Sequence, residues 1–224
     1  MRILSTAILF TCLTAACVGA QTIPGAVPAN HEPHHHTTYE DGSLRVLRVR
    51  VAPHDTTLLH EHDADYFWIA LGASEIVNAK LGAPDAIVAS HDKSIHYTPG
   101  HFAHVARNHG AAPFDNITVE LLRAQTHVHN LCEPALANQP MTCGDSSTFR
   151  GTHEHPAVAT DRLRISLATI APGTTMRAST EAKGAWVIAL DTLDARSGLV
   201  VEGGGTWRGG VYHPSTSKWA VRNA

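Results

Sequence analysis

Two clusters of histidines carry most of the chemistry that this sequence offers. His60 and His62 are separated by a single residue, and His104 lies in a second cluster further along the chain. Side chains two positions apart in a β-strand lie on the same face, so His60 and His62 predict two imidazoles on one side of a sheet. A third imidazole from a neighbouring strand would complete a set that suits zinc, iron, copper or nickel. We therefore predict a metal centre formed by His60, His62 and His104.

The segments around these histidines match a known pair of motifs. Residues 51–71 contain a turn, His-x-His and an apolar run, and residues 99–108 contain a Pro-Gly turn, a histidine and an asparagine four residues after His104. In order and separation they resemble the two motifs of the cupin family. The resemblance implies a double-stranded β-helix, or jelly-roll barrel, with the ligand histidines inside. It implies no single reaction, because one fold carries many chemistries.

Three positions depart from the cupin motifs. The family usually has glycine where this chain has His54, and commonly has glycine where it has His101. The glutamate ligand of the family is missing, since Tyr66 and Phe67 occupy its expected positions. Asp65 would reach the ligand face only through a β-bulge, whereas strand alternation places Tyr66 on that face. Tyr66 is therefore predicted either to take a catalytic role beside a metal-bound ligand or to pack there, and the fourth protein ligand stays open.

The composition favours a β-rich protein. Of 224 residues 43% are hydrophobic and 17% are charged, with 17 glycines and 12 prolines. Many short alternating segments separated by turns, with almost no helical periodicity, predict an all-β fold. A net charge of -3 gives no basic surface for nucleic acid. The predicted strands of the first half are 43–51, 66–71, 75–80, 86–90, 95–97, 105–107 and 117–122.

The N-terminus predicts export. Residues 1–20 combine Arg2, an apolar stretch too short to span a bilayer and a small-residue end, which is typical of a cleaved signal. The mature protein would then begin at Gln21 and be periplasmic or extracellular, with no membrane span. Cys17 leaves a lipoprotein anchor as the less favoured alternative. Residues 21–36, which end in three consecutive histidines, predict a mobile leader that either collects transition metals or serves as an exposed segment or edge strand.

Signal cleavage would leave Cys132 and Cys143 as the only cysteines of the chain. In an exported protein this pair predicts one disulfide closing a short loop. The alternative is a Cys/His metal site with His127 and His129, which lacks a Cys-x-x-Cys pair. The irregular segment 126–158 is thus predicted to be a disulfide-pinned linker, and its histidines at 153 and 155 are predicted to lie on the surface.

An internal repeat follows the linker. Residues 170–175 match 51–56, 186–190 match 67–71, 212–214 match 97–99 and 221–223 match 106–108. The repeat predicts a duplicated, bicupin-like chain whose second barrel has lost its metal site. Opposite His60, His62 and His104 stand Ser179, Glu181 and Trp219. The predicted organisation is a signal (1–20), a leader (21–36), a metal-binding cupin barrel (37–125), a linker (126–158) and a degenerate barrel (159–224).

Two classes of function remain open on the sequence. The first is an exported metal-dependent oxygenase acting on a small molecule, because three histidines alone hold iron in some cupin dioxygenases. The second is a non-enzymatic cupin that binds a metal or a small ligand. Iron is the favoured metal, with copper, nickel or zinc as alternatives. A homo-oligomer stays open, and a barrel with incidental histidines ranks last.

Overall fold

The computed structural model describes residues 23–130, 147–149, 152–177, 186–191, 195–197, 199–202, 208–214 and 220–223. Within these ranges the chain forms twenty β-strands and one short 3-10 helix. The all-β prediction is therefore confirmed for this part of the chain. No helix in these ranges is long and apolar enough to cross a membrane. The predicted signal (1–20) and the cysteines at 132 and 143 lie outside the described residues.

The first half of the chain forms two five-stranded sheets. Its strands are β1 (Val27–Pro28), β2 (His35–Glu40), β3 (Leu44–Val51), β4 (His60–His62), β5 (Tyr66–Ala70), β6 (Ser74–Lys80), β7 (Ala86–Ser90), β8 (Ile95–Thr98), β9 (Phe102–Arg107) and β10 (Phe114–Leu121). One sheet has the order β1-β4-β9-β6-β7, and the other has the order β2-β3-β10-β5-β8. The chain passes back and forth between the sheets from β3 to β10, which is the arrangement of a jelly roll. The predicted cupin-type fold is confirmed for this half.

Side-chain alternation explains the barrel interior. Along β3 the residues Leu47, Val49 and Val51 are buried inside the barrel, while Arg50 between the last two is exposed. Strand β5 is apolar at every position because both of its faces are covered. Tyr66, Trp68 and Ala70 point inward, and Phe67 and Ile69, which alternate with them, point outward. A period of two on β3 and a continuous apolar run on β5 are the patterns expected of half-buried and fully buried strands.

The outer face of the β5 sheet packs against the second half of the chain. Phe67 and Ile69 belong to one buried cluster with Val158 and Val211. At the edge of this contact the rings of Tyr39 and Trp186 are 4.2 Å apart. Two ion pairs also join the halves, Lys93 with Asp191 at 2.6 Å and Arg208 with Asp92. The contact is thus an apolar core with charged pairs near it.

The second half forms three smaller sheets. Its strands are β11 (His129–Asn130), β12 (Ser147–Phe149), β13 (Thr152–Ala159), β14 (Arg164–Ile170), β15 (Thr174–Arg177), β16 (Val187–Ile188), β17 (Ala195–Ser197), β18 (Leu199–Glu202), β19 (Val211–Pro214) and β20 (Ala220–Asn223). Strand β13 pairs with β11, β12 and β14, β20 lies between β15 and β17, and β19 lies between β16 and β18.

Two local details of the first half recur in the second. The Asn108 side-chain amide donates a hydrogen bond to the Val51 carbonyl at 3.0 Å, and Asn223 donates in the same way to Ile170 at 2.7 Å. These residues are paired by the internal sequence repeat. The β2-β3 and β13-β14 hairpins also each contain one register shift, at Thr38 and at the residue before Val158.

These coincidences support the predicted duplication. A complete second barrel stays a prediction, because the counterparts of the ligand histidines at 179, 181 and 219 lie outside the described residues. The linker boundary changes, since residues 152–158 are part of β13 rather than an irregular segment. His155 in that strand is half-buried.

The described part of the predicted leader is attached to the barrel. Strand β1 runs parallel to β4, with Val27 opposite His60, and the Val27 amide donates to the Leu59 carbonyl at 3.0 Å. A 3-10 helix (Ala29–His31) follows, and β2 then begins at His35 and pairs with β3. Strands β1 and β2 are therefore structural elements of the barrel, because their backbone groups are paired with β4 and β3.

Candidate metal centre

The structure brings the three predicted ligands together. His60 and His62 lie on β4, and His104 lies directly opposite His60 on the adjacent strand β9. The ring centroids of His60 are 4.3 Å from those of His104 and 5.2 Å from those of His62. All three side chains are buried, with at most 8% of each residue exposed. Antiparallel pairing of two short motifs thus produces one cluster of imidazoles inside the barrel.

A fourth imidazole belongs to the same cluster and was not predicted. His35 of β2 is buried, and its ring centroid is 4.6 Å from that of His60. His35, His60 and His62 each offer a ring nitrogen within 4.8 Å of the others. His35 falls in the segment predicted to be a mobile leader, so the sequence does not align it with the motif histidines. The Asp41-Gly42 pair just before β3 is typical of a hairpin turn, and it indicates that a strand paired with β3 comes before the turn.

Each of the four rings is oriented by a hydrogen bond from its Nδ1 atom. The acceptors are Glu32 Oε2 for His35 at 2.6 Å, the Leu58 carbonyl for His60 at 2.9 Å, Glu120 Oε1 for His62 at 3.0 Å and Asn78 Oδ1 for His104 at 2.7 Å. A proton on Nδ1 leaves Nε2 as the basic nitrogen. Metal-binding histidines typically hold their second nitrogen in this way.

Two of the Nε2 atoms have no partner in the described part of the chain. The Nε2 atoms of His60 and His104 are buried and make no hydrogen bond there. A buried polar atom without a partner costs about 1–3 kcal/mol. Neutral nitrogens in an apolar surrounding, with their Nδ1 atoms already bonded, are the donors that a divalent transition metal takes. The ring nitrogens of His35, His60 and His62 therefore lie close enough together to fit such an ion, whereas His104 stands beside this group and is not part of it.

The surroundings favour the neutral form of three of these imidazoles, those of His35, His60 and His104. Burial, together with the neighbouring rings of His35 and His62, lowers the pKa of His60 to about 3. Burial and the neighbouring His60 and His62 lower the pKa of His104 to about 2. The pKa of His35 is also lowered, mainly by burial. Neutral imidazole is the form that binds metals, so these three rings are ready to coordinate an ion at neutral pH.

No protein-family model matches the sequence, and no curated protein matches it. Among solved structures the chain is similar to a cupin domain from Bordetella pertussis Tohama I, with 16% identity over 45% of this chain and 97% of that one and a TM-score of 0.37. A Cupin 2 conserved barrel domain protein from Salinispora arenicola CNS-205 has 22% identity over 34% of this chain and 61% of that one, with a TM-score of 0.29. Strand order, rather than these distant matches, decides the fold. The first half is a cupin-type barrel.

Tyr66 lies inside the cupin barrel beside the cluster. Its ring stacks on His62 at a centroid distance of 4.3 Å. Burial raises the pKa of the Tyr66 hydroxyl, so this group keeps its proton at neutral pH. Tyr66 therefore packs against one imidazole and offers a donor at the same wall. Its predicted catalytic role stays a prediction.

Asp65 serves the turn of the second motif instead of the cluster. Its carboxylate accepts hydrogen bonds from the Tyr97 hydroxyl at 2.6 Å and from the Gly100 amide at 3.0 Å. A Cβ atom on Gly100 would lie 2.3 Å from the Ala64 backbone, so the approach of the two segments requires glycine there. His101, which stands where the family commonly has glycine, adopts a left-handed backbone with φ of 62°.

A cavity of about 220 Å³ adjoins the histidines within the cupin barrel. Its wall is apolar along Val51, Trp68, Ile76 and Phe114. It is polar at Asn116 and at the other polar residues that line the cavity. His96, which also lines the cavity, stacks on Trp68 at a centroid distance of 4.1 Å. A space of this size accepts a small molecule whose polar end meets the imidazoles and whose apolar part meets these walls.

Proposed function

We propose that the first barrel holds a divalent transition metal, preferably iron, and acts as a metal-dependent oxygenase on a small molecule. The observation that carries the proposal is the convergence of His60, His62 and His104 with hydrogen-bonded Nδ1 atoms, together with the buried Nε2 atoms of His60 and His104, which have no partner in the described structure. His35 adds a fourth donor, in place of the missing glutamate of the family. Iron held there would supply the one-electron chemistry that oxygen requires.

The cupin barrel itself provides binding and orientation. The apolar wall around Trp68 and Phe114 holds the carbon skeleton of the small molecule and excludes water from it. The protonated Tyr66 hydroxyl is a hydrogen-bond donor at the same wall. The cavity supports an enzyme over a protein that only captures metal, because capture needs no space beside the ion.

Export completes the proposal. Residues 1–20 are proposed to be a signal, and Cys132 and Cys143 are proposed to form a disulfide in an oxidising compartment. A protein with this destination would load its metal and meet its small molecule outside the cytoplasm.

The proposal is tested by metal analysis of the chain from residue 21 onward, purified without an affinity tag. Elemental mass spectrometry is expected to find about one equivalent of iron, copper or nickel, since one histidine cluster holds one ion. The double variant His60→Ala/His104→Ala is expected to lose it. Oxygen uptake is then measured with small aromatic compounds and diketones.

A matched control is His36→Ala/His109→Ala, which removes two exposed histidines and should keep the metal. Metal at background level in the unmodified protein, or an equal amount in both double variants, would contradict the proposed site.

One observation favours a second function, non-enzymatic metal or ligand binding. Among the described residues the clustered donors are imidazoles alone, a set that also suits zinc. Tightly held zinc with no oxygen uptake for any compound tested would favour this alternative.

A further inference from the structure

A buried carboxylate lies behind the histidine cluster, at the end of the 3-10 helix. Glu32 is 1% exposed and accepts four hydrogen bonds. The donors are the His34 amide at 2.8 Å, the His34 Nδ1 at 2.9 Å, the His35 Nδ1 at 2.6 Å and the Leu58 amide at 3.1 Å. A carboxylate with this many donors has one fixed position.

Glu32 reaches two of the four imidazoles by different routes. It accepts the Nδ1 proton of His35 directly. It also binds the amide of Leu58, and the carbonyl of that same residue accepts the Nδ1 proton of His60. One side chain thus fixes His35 from the leader segment and, through one residue, His60 from the cupin motif.

Charge adds to this geometry. Although burial alone would raise it, hydrogen bonds from His35 and His34 hold the pKa of Glu32 at about 2, so the carboxylate is anionic at neutral pH. Glu120 plays a matching part on the other side, between His62 at 3.0 Å and Arg45 at 2.7 Å. Carboxylates hydrogen-bonded to ligand imidazoles raise the basicity of the metal-binding nitrogen and fix the ring.

We propose that Glu32 is a positioning residue of the metal centre, which orients His35 directly and His60 through Leu58. The inference rests on the proposed metal centre. It assigns to the N-terminal segment a part in metal binding that the cupin motifs alone do not contain.

The test compares Glu32→Gln with Glu61→Gln. Glu61 is a matched control because it is also buried, lies between two ligand histidines and accepts a hydrogen bond from the same N-terminal segment, at the Ile23 amide at 3.0 Å. In the described structure its carboxylate bonds to no ring of the cluster. Both variants are loaded with Co²⁺ alone, and its dissociation constant is measured by chelator competition.

Glu32→Gln is expected to weaken Co²⁺ binding about 10–100-fold, the usual effect of losing an outer-shell partner, and to change the visible spectrum of the bound ion. Glu61→Gln is expected to stay within about 3-fold, since its partner is a backbone amide rather than a ligand ring. Thermal unfolding of the metal-free variants separates lost stability from lost affinity. If Glu32→Gln does not fold, Glu32→Asp replaces it, with a smaller weakening and a shifted spectrum expected.

The outcomes discriminate between the two proposals. Co²⁺ affinity and spectrum unchanged in the Glu32 variant, or equal losses in both variants, overturn the role of Glu32 and leave the metal centre intact. If the unmodified protein binds no Co²⁺, iron or copper, the metal centre itself is overturned.

Discussion

Two histidines outside the cluster stand where the family motifs have another residue. His54 and His101 occupy the positions where cupins usually have glycine, and both have φ of 62°. Gly173, the counterpart of His54 in the internal repeat, has φ of 76°. The left-handed backbone is thus a property of the turn, and the first barrel keeps it in spite of the side chain. A residue other than glycine there costs about 1–2 kcal/mol.

Substitution of His54 tests this strain. We expect His54→Gly to leave the free energy of unfolding unchanged or to raise it by up to about 1 kcal/mol, because relief of strain exceeds the added entropy of the unfolded chain. His54→Val should lower it by about 1–2 kcal/mol, since a β-branched side chain avoids this conformation. Urea unfolding measures both. His109→Val, at an exposed site without positive φ, is the control, and a similar loss there would contradict the explanation.

At the scale of strands, the sequence predicts the strands that have a regular pattern of polar and apolar residues. The alternation of β3 and the apolar run of β5 appear in the structure within one residue at each end. Three of the four imidazoles were predicted because they lie in motifs whose strands pair with each other. Strand β1 is not predicted and β2 is predicted only as the edge-strand alternative, because three consecutive histidines have no alternation and Glu32 is buried by partners distant in the sequence. Tertiary contacts of that kind leave no local signal.

Because the outer face of β5 is buried against the second half of the chain, we expect this apolar contact to contribute more to stability than the ion pair between the halves. Ile69 is 4% exposed and packs in the cluster shared with Val158 and Val211, so Ile69→Ala should cost about 2–5 kcal/mol. Asp191→Asn removes the exposed ion pair with Lys93 and should cost about 0–1 kcal/mol. Chemical denaturation of both variants measures the difference. Equal losses would mean that the ion pair is as important as the apolar contact.

The whole molecule should become less stable in acid. The pKa of His60 is lowered from 6.5 to about 3 and that of His104 to about 2, so the unfolded chain binds protons that the folded chain does not. Glu32, lowered from 4.5 to about 2, loses its contribution as the pH falls through that interval. His34 acts in the opposite direction, because its pKa is raised by Glu32 and Asp55 in spite of burial, and its contribution is lost as the pH rises.

We therefore expect the free energy of unfolding of the metal-free protein to fall as the pH decreases from about 6.5 toward 3, the interval in which the unfolded histidines bind protons. Urea unfolding at several pH values measures it. The variant His60→Gln/His104→Gln is expected to show a flatter dependence. Stability that is constant or that rises toward pH 4 in the unmodified protein would show that these imidazoles are not kept neutral.

The side chains of the cluster come from β2, β4 and β9, with carboxylates at Glu32 and Glu120, and thus from both sheets of the barrel. An ion bound by them acts as a reversible crosslink between distant parts of the chain. By mass action, an ion at 100 times its dissociation constant would add about 2.7 kcal/mol to the free energy of unfolding. The lifetime of this barrel against proteases would then follow the supply of metal around it, so that scarcity of the ion would lead to loss of the protein itself.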